Sequence, residues 1–405
     1  MTRNQEPTVG NAPSAEAAPE PGMRLFSGEP QYQNFARIQH LLPVTPLRPA
    51  ARPFTFPRGE PVDLPREYDH HGTLRPLQAL LDSTHTSALL VLQHGTVRFE
   101  RYWLTGGPEV QWMSMSVAKS FVSALVGIAC SEGHIASIED AITRYVPLLA
   151  GTAYDGVSIR HVLQMSSGAR WNEDYADPGS EIARMGAASA PGGSFDAFMQ
   201  TMVCETTPGT LCQYDSADTQ ALGMLVAAAT GRSLAAYMQE KLCEPLGMAS
   251  PGYWVTDSQG REMAFAGLLL TARDFARIGE LYRNGGRWQG AQVVPADYVA
   301  ASLAKGGARG EPHLAPGRPL VGGHAFPFGY GYQWWLPAGD DGEFSAIGVY
   351  NQFVYVDPSR GVVIVKLSAN PAYGTSHDDA DNKDEENLLA LRAIARQFPR
   401  LPNTG

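Results

Sequence analysis

A serine and a lysine three positions apart, Ser116 and Lys119, stand at the start of a long apolar segment. The residues that follow, up to Cys130, are almost all apolar or small, which predicts a buried helix without a solvent-facing side. A serine in the first turn lies near unpaired backbone N–H groups and the positive end of the helix dipole, and a residue three positions later shares its face. The pair is therefore a candidate nucleophile with a proton acceptor.

Other serines in the chain show that such short patterns have a simpler interpretation. Ser302 and Lys305 repeat the spacing, but they run at once into two glycines and are predicted to form a helix end with a solvated lysine. Gly231 and Ser233 nearly match the G-x-S-x-G elbow, but lie between helical segments and are predicted to stop one helix and cap the next. A capping serine is also the alternative for the first pair. Lys119 differs because it would be the only charge in a buried helix, where a lysine needs a partner or a lowered pKa.

A third group that exchanges protons is supplied by Tyr214. It follows the turn signal Pro208-Gly209 and precedes a helical segment that begins near Thr219. Its phenol is therefore expected on a loop, from which it can point into a cleft. A tyrosine with a purely structural role is the alternative.

Length, composition and charge exclude several classes of protein. The chain has 405 residues, 44% hydrophobic and 18% charged, so it can bury one large or two modest cores. No stretch is long and apolar enough to predict a membrane span. The formal net charge of −10 and the absence of a Lys/Arg cluster argue against nucleic acid or an anionic membrane as a partner. A soluble protein of enzyme size is predicted.

Metal ligands are not indicated by the spacing of cysteine or histidine. The four cysteines lack a C-x-x-C pattern and are expected to be reduced, mostly buried thiols; they are Cys130, Cys204, Cys212 and Cys243. The ten histidines include no H-E-x-x-H motif. We predict neither a metal nor a cofactor.

The helices and strands around Ser116, Lys119 and Tyr214 are predicted to form an α+β fold. Residues 1–24 are rich in Pro, Ala and Glu and are predicted to be a disordered tail, not a signal peptide, so a cytoplasmic location is expected. Repeated prolines between 43 and 65 indicate an extended segment on the surface. Helices are predicted over 77–81, 159–165, 195–202, 219–230, 234–242, 275–282 and 385–398, and strands over 87–92, 96–102, 330–335, 346–356 and 361–368.

Strands near both ends of the chain, with helices between them, imply one antiparallel sheet flanked by helices and built from both ends. We predict a catalytic domain from 25–148 and 266–405, and an inserted all-helical subdomain over 149–265. A homodimer is a further hypothesis.

Several motifs, taken in order, resemble those of the class C β-lactamase-like serine hydrolases. The resemblance runs from about Leu89 to the C-terminal helix. It is carried by Ser116-Val117-Ala118-Lys119-Ser120, Asn172-Glu173-Asp174-Tyr175, Tyr214-Asp215-Ser216, Thr271-Ala272-Arg273-Asp274, Gln333-Trp334-Trp335, Gly348-Val349-Tyr350 and Ile364-Val365-Lys366-Leu367-Ser368. Such a set is far more specific than the Ser-x-x-Lys pair alone.

The resemblance implies roles for individual residues. Ser116 would attack the substrate, Lys119 and Tyr214 would shuttle its proton, and the N–H groups of Ser116 and Val349 would form the oxyanion hole. Tyr175 would contact substrate beside the scissile bond. The other substrate-facing residues would be Ser216, Tyr350 and Asn351.

The general base stays open at this point. A nearby lysine ammonium would favour the phenolate of Tyr214, whereas burial would keep Lys119 neutral and make it the acceptor.

One departure from the family bears on the substrate. β-Lactamases carry a cation and a hydroxyl on the strand beside the nucleophile, whereas residues 348–352, which we predict to form that strand, offer neither. We therefore predict a serine hydrolase that cleaves carboxylic esters and small linear amides, as in the nylon-oligomer branch, through an acyl-enzyme. The alternatives are a β-lactamase or D,D-peptidase, an acyltransferase, and a non-catalytic binding protein on the same fold.

Overall fold

A computed structural model describes residues 25–26, 30–304, 320–321, 324–325, 328–339 and 341–402. The tail predicted for residues 1–24, and Lys305 of the second serine–lysine pair, lie outside these ranges. The described residues form a seven-stranded sheet, a four-stranded sheet, three two-stranded hairpins and the helices that pack around them.

The bounds of these elements, within the described residues, are as follows. The strands are β1 Val44–Leu47, β2 Glu67–His70, β3 Thr73–Pro76, β4 Thr86–Gln93, β5 Thr96–Tyr102, β6 Trp112–Met113, β7 Gly252–Val255, β8 Leu268–Leu270, β9 Arg287–Trp288, β10 Ala291–Gln292, β11 Leu320–Val321, β12 His324–Ala325, β13 Gly329–Tyr330, β14 Trp335–Leu336, β15 Phe344–Gly348, β16 Gln352–Asp357 and β17 Val362–Ser368. The α-helices are α1 Tyr32–Phe35, α2 Leu77–Ser83, α3 Ala118–Ser131, α4 Ile159–Leu163, α5 Glu181–Ala187, α6 Phe195–Met199, α7 Ser216–Thr230, α8 Leu234–Met238, α9 Glu244–Leu246, α10 Ala272–Arg283, α11 Ala296–Ser302, α12 Asp379–Asn382 and α13 Asp384–Ala395. Short 3-10 helices cover Ile38–His40, Met115–Val117, Ile142–Arg144 and Pro147–Leu149, and a π-helix covers Gln239–Cys243.

The seven-stranded sheet is built from both ends of the chain. Its order is β13-β14-β15-β16-β17-β4-β5, and every neighbouring pair is antiparallel. Strands β16 and β17 are buried along their whole length, because α10 packs against them from one side and α13 from the other. The predicted α+β class, with an antiparallel sheet flanked by helices, is confirmed.

The second sheet differs from the prediction for residues 149–265. Its order is β1-β7-β8-β6, so β7 near the end of the predicted helical region pairs with β1 from the N-terminal proline-rich segment. The α- and π-helices of this region therefore end at Leu246. The short run Gly252–Val255 forms a strand because a distant partner, Val44–Leu47, satisfies its backbone.

Helix α3 lies at the centre of the molecule and packs against α7. Twelve of its residues, from Ala118 to Ala129, are buried, as the apolar composition predicts. Helix α7 begins at an N-cap, Asp215, whose carboxylate accepts from the backbone N–H groups of Ala217 and Asp218. It ends at Gly231, whose φ of 67° is the left-handed conformation of a helix stop.

The single strand predicted over 346–356 is two strands. β15 ends at Gly348 and β16 begins at Gln352, and they pair with each other across a tight turn. Within that turn Tyr350 and Asn351 have φ values of 64° and 69°. Residues 349–351 are thus a hairpin turn, and 348–352 is not the continuous strand that the sequence suggested.

Within the described ranges, no single helix combines the length and the apolar composition needed to cross a membrane. One pair of helices, Ser216–Thr230 and Leu234–Leu246, bent by 74°, has both features when taken together.

Candidate active site

Ser116 lies in the 3-10 turn Met115–Val117 that leads into α3, one turn earlier than a regular α-helical start. The preceding residue, Met115, has a φ of 46°, which is uncommon for a residue with a side chain and marks a strained backbone. The Ser116 side chain is largely buried, with 7% of the residue exposed. A serine at a strained turn before a buried helix is a typical position for a nucleophile.

Lys119 contacts three oxygen atoms in the interior. Its Nζ lies 3.0 Å from the Oγ of Ser116, from the Oγ of Ser216 and from the carbonyl oxygen of Phe265. Burial lowers the pKa of the Lys119 amine to about 8, although the nearby charges of Glu173 and Asp215 act in the opposite direction. A substantial fraction of this lysine is therefore neutral near physiological pH.

Tyr214 is also buried, and its phenol lies within hydrogen-bonding distance of the Ser116 hydroxyl. Its ring stacks on Trp335 at a centroid distance of 5.0 Å, and the Lys119 Nζ lies 5.1 Å from the centre of its ring. Burial raises the pKa of the Tyr214 phenol well above its usual value, and the charge of Glu173 raises it further. The Ser116 hydroxyl, which hydrogen-bonds the phenol, lowers that pKa by a smaller amount. The phenol is therefore protonated at neutral pH.

Glu173 belongs to the site, and our reading of the sequence assigned it no role. Its carboxylate accepts from the Ser216 hydroxyl at 2.7 Å, from the Ser216 N–H at 3.2 Å and from the Tyr175 hydroxyl at 2.6 Å. The indole N–H of Trp171 is a further donor. Glu173 was quoted only as part of a motif, because no local pattern predicts that it meets Ser216, forty-three positions later. The signal was an acid two residues before a predicted substrate-contacting tyrosine.

The start of the hairpin turn after β15 lies directly against the nucleophile. A Cβ atom on Gly348 would lie 2.7 Å from the carbonyl oxygen of Ser114 and 2.9 Å from the backbone nitrogen of Ser116. Only glycine permits this approach of two backbones. Val349, the next residue, is thereby placed beside Ser116.

A family model described as β-lactamase matches residues 77–388, which include Ser116, Lys119, Glu173, Tyr214 and the 349–351 turn. The chain is also 34% identical over 374 residues to the 6-aminohexanoate-dimer hydrolase of Paenarthrobacter ureafaciens, covering 89% of this chain and 91% of that protein. This chain belongs to the β-lactamase family. It is thus a member of a family of serine hydrolases, as predicted.

Solved structures of this family share the fold. A Bacillus anthracis protein provisionally assigned as a 6-aminohexanoate-dimer hydrolase superposes with a TM-score of 0.79 at 24% identity, covering 92% of this chain and 96% of that one. EstCE1, described as a hydrolase with promiscuous acyltransferase activity, gives 0.59 at 16% identity, with coverages of 78% and 96%. A family VIII carboxylesterase gives 0.56 at 15% identity, with coverages of 79% and 97%. At these identities, the likeness shows the fold alone.

Two further predicted residues of this β-lactamase-family site, Tyr350 and Asn351, have structural contacts. The Asn351 side chain is fully buried and donates to the carbonyl oxygen of Asn382 at 2.7 Å and to Asp384 at 3.2 Å. The ring of Tyr350 packs against Phe35 at 5.3 Å. Asn351 is therefore occupied in holding the turn, which does not favour the predicted contact with substrate.

Tyr175 and Ser216, the other predicted substrate-binding residues, both bond to Glu173. Tyr175 is 37% exposed, whereas Ser216 is buried. Tyr175 is therefore the more accessible of the two to a substrate.

The remaining serines of the sequence patterns lie elsewhere in the fold. Ser302 ends α11, and its hydroxyl donates to the carbonyl oxygen of Tyr298 at 2.7 Å. Ser233 is the N-cap of α8 and accepts from the N–H of Ala236. Both are helix-end residues, as predicted. Among the residues that the structure describes, no cluster of three or more His, Cys, Asp or Glu side chains could hold a metal.

Proposed function

We propose that this chain hydrolyses carboxylic esters and small linear amides through an acyl-enzyme on Ser116, with Lys119 as the general base and Tyr214 as a proton donor. The observation that carries the proposal is the 3.0 Å contact between the Lys119 Nζ and the Ser116 Oγ in a buried site. A nucleophile within hydrogen-bond reach of a base is the arrangement that acyl transfer requires.

The choice between the two bases follows from burial. Burial lowers the pKa of Lys119 to about 8, so a neutral fraction of this amine exists at neutral pH, and it raises the pKa of Tyr214 well above 10.0, so the phenol keeps its proton. A neutral amine directs two N–H bonds to Phe265 and Ser216 and keeps its lone pair for the Ser116 proton. The ammonium–phenolate alternative would require two separated charges in the same buried space.

The proton steps then balance. Lys119 takes the Ser116 proton as Oγ attacks the carbonyl carbon, Tyr214 gives its proton to the leaving oxygen or nitrogen, and Lys119 returns a proton to the phenolate. In the second half-reaction water attacks the acyl carbon and gives a proton to Lys119, and Lys119 returns a proton to the departing Ser116 Oγ, which releases the acid. The N–H groups of Ser116 and Val349 are proposed to hold the oxyanion, which the close approach of Gly348 to Ser116 supports.

The substrate class is proposed from the relative and from the charges of the site. The 34% identical protein is named for a linear amide dimer, which supports small linear amides beside esters. Among the described residues that contact the Ser116 hydroxyl or the 349–351 turn, Lys119 is the one cation. A β-lactamase, a D,D-peptidase or an acyltransferase remains the alternative. The cytoplasmic location stays a prediction.

The decisive experiment compares Ser116→Ala with Ser302→Ala. We expect Ser116→Ala to abolish hydrolysis of a p-nitrophenyl ester and to lose labelling by a fluorophosphonate, because the acyl-enzyme cannot form. Ser302→Ala is the matched control, since its hydroxyl donates to the carbonyl oxygen of Tyr298 within α11 and makes no hydrogen bond with Ser116 or Lys119 among the described residues. A fluorophosphonate adduct that maps away from Ser116, or equal losses in both variants, would contradict the proposal.

A further inference from the structure

The geometry points to Glu173 as a positioning residue: we propose that its carboxylate fixes the Ser216 hydroxyl toward Lys119 and places a negative charge behind the base. The inference rests on the proposed function, because it assigns Glu173 a task only if Lys119 takes the Ser116 proton. The hydrogen bonds of Glu173 do not include one to Ser116, so Glu173 would act on the nucleophile through Ser216 and Lys119.

The first observation is a continuous line of hydrogen bonds. The Ser216 Oγ lies 3.0 Å from the Lys119 Nζ and donates to the Glu173 Oε1 at 2.7 Å. Because this hydroxyl gives its proton to Glu173, its lone pairs face Lys119 and accept one of the N–H bonds of the amine. The remaining lone pair of a neutral Lys119 is then directed to Ser116.

The second observation is that Glu173 is surrounded by donors. Its oxygens accept from Trp171, from the hydroxyl of Tyr175, and from both the N–H and the hydroxyl of Ser216. Only 2% of the residue is exposed. A carboxylate that receives four donors has no position left for its own proton, so the contacts fit the ionised form. The N-terminus of α7, at Ser216, adds the positive end of a helix dipole.

The other acid near Lys119 is a weaker candidate for the charge. Asp215 is buried, and its pKa is raised well above 3.8 by that burial and by the neighbouring Asp218, whose own pKa is about 7. Asp215 also spends one oxygen on capping α7. Of the titratable groups that face the base, which are Glu173, Asp215 and Tyr214, Glu173 is thus the one whose hydrogen-bond donors suit the charge that we propose behind the base.

The test is the pH dependence of kcat/KM for a short-chain aryl ester. In the wild type, kcat/KM should rise with pH through about 8, as Lys119 loses its proton. Glu173→Gln keeps the shape of the side chain and removes its charge, so the ammonium form of Lys119 is less stabilised and the pKa of Lys119 falls further. We expect the rising limb to move to lower pH by about 1 unit while the plateau falls by about tenfold.

Two variants separate this role from a merely structural one. Glu262→Gln is the matched control, since Glu262 is an equally buried glutamate that accepts the N–H of Ala235, and both limb and plateau should stay unchanged. Ser216→Ala breaks the line but keeps the charge, so the plateau should fall by about tenfold with a smaller shift of the limb.

The outcomes distinguish the inference from the function on which it rests. The inference would be overturned if the rising limb of the pH profile stayed in place in folded Glu173→Gln, or if it moved equally in Glu262→Gln. An inactive Ser116→Ala would still support the hydrolase in that case. If Glu173→Gln does not fold, the plateau of Ser216→Ala decides: wild-type activity there would refute a line of bonds from Glu173 to the base. Activity in Ser116→Ala would refute the proposed function itself.

Discussion

Among the described residues, two lysines are buried next to a serine hydroxyl, and only one of the two serines keeps exposed surface. The Lys119 Nζ lies 3.0 Å from Ser116, and the Lys366 Nζ on β17 lies 2.6 Å from Ser368. Burial lowers the pKa of both amines, and each has an acid nearby, Glu173 or Asp384, whose charge opposes that effect. By distance, burial and charge the two pairs are alike.

The surroundings of the two serines differ. Ser116 keeps 7% of its surface exposed and stands at a strained turn beside the backbone of Gly348. Ser368 is completely buried within the seven-stranded sheet, and its hydroxyl also contacts Thr86 at 3.3 Å. A lysine close to a buried serine hydroxyl is therefore not sufficient to make that serine a nucleophile. The site also needs access for a carbonyl carbon and backbone donors around it.

The largest effect expected from this comparison is the loss of activity in Lys119→Met. Removing the general base should lower kcat for aryl esters by about 10²–10⁴-fold. Lys366→Met should stay within about twofold of wild type, because no hydrogen bond links Lys366 directly to the described residues of the site. Steady-state kinetics on both purified variants make the measurement. Similar losses in the two variants would mean that Lys366 serves the chemistry.

A second prediction uses the fact that neither amine is free to hold a substrate carboxylate. Lys366 donates to Thr84 and Ser368, and Lys119 is engaged with three oxygens. A charge-assisted hydrogen bond contributes about 1.5–3 kcal/mol, which corresponds to about 10- to 150-fold in affinity. We therefore expect kcat/KM for a short-chain aryl ester to exceed that for nitrocefin by about a hundredfold.

Side-by-side assays of one ester, one linear amide and nitrocefin make the comparison, and the amide should fall between the other two. The linear amide is the internal control for the difficulty of breaking a C–N bond. If nitrocefin is turned over as fast as the ester, a cation outside the described contacts holds its carboxylate, and the protein acts as a β-lactamase.

The parts of the site that could be predicted from the sequence are those with a recognisable local pattern. Ser116 and Lys119 are one helical turn apart in an apolar segment, and Tyr214 follows a Pro-Gly turn, so motif and context were enough. Glu173 and Lys366 were quoted in motifs without a role. Glu173 bonds to Ser216, which is forty-three positions away in the sequence, and Lys366 bonds to Thr84, which is 282 positions away. No short-range pattern in the sequence predicts such pairings.

The errors in the fold have the same physical origin. The segment 346–356 has the composition of one continuous strand, yet it turns at Val349–Asn351 because Asn351 is held in a left-handed conformation by Asn370, Asn382 and Asp384. The strand β7 was missed because its backbone is satisfied by β1, some two hundred residues earlier. Helices such as α3 and α10, whose apolar residues are close together in the sequence, were predicted to within a few residues.

The smallest effect concerns stability and follows from the protonation of Lys366. Its pKa in the folded protein lies well below 10.5, so in the range between the two values the unfolded chain binds one more proton than the native state. The native state therefore gains stability as pH rises, by about 1.4 kcal/mol per pH unit. Asp384, the acid nearby, has a folded pKa of about 8, raised from 3.8, so it makes the native state lose stability as pH rises from about 4 to about 8.

Lys366→Met removes the first of these opposing effects and leaves the second. Urea unfolding of the variant and the wild type between about pH 8 and about pH 10, just below the unfolded value, should show the difference in unfolding free energy, variant minus wild type, falling by up to about 1.4 kcal/mol per pH unit. Asp384→Asn is the matched control and should give a difference that rises with pH below about pH 8. A difference for Lys366→Met that is flat would mean that Lys366 is protonated in the fold. The two buried lysines would then be alike in geometry only, and burial would lower the pKa of Lys119 but not that of Lys366.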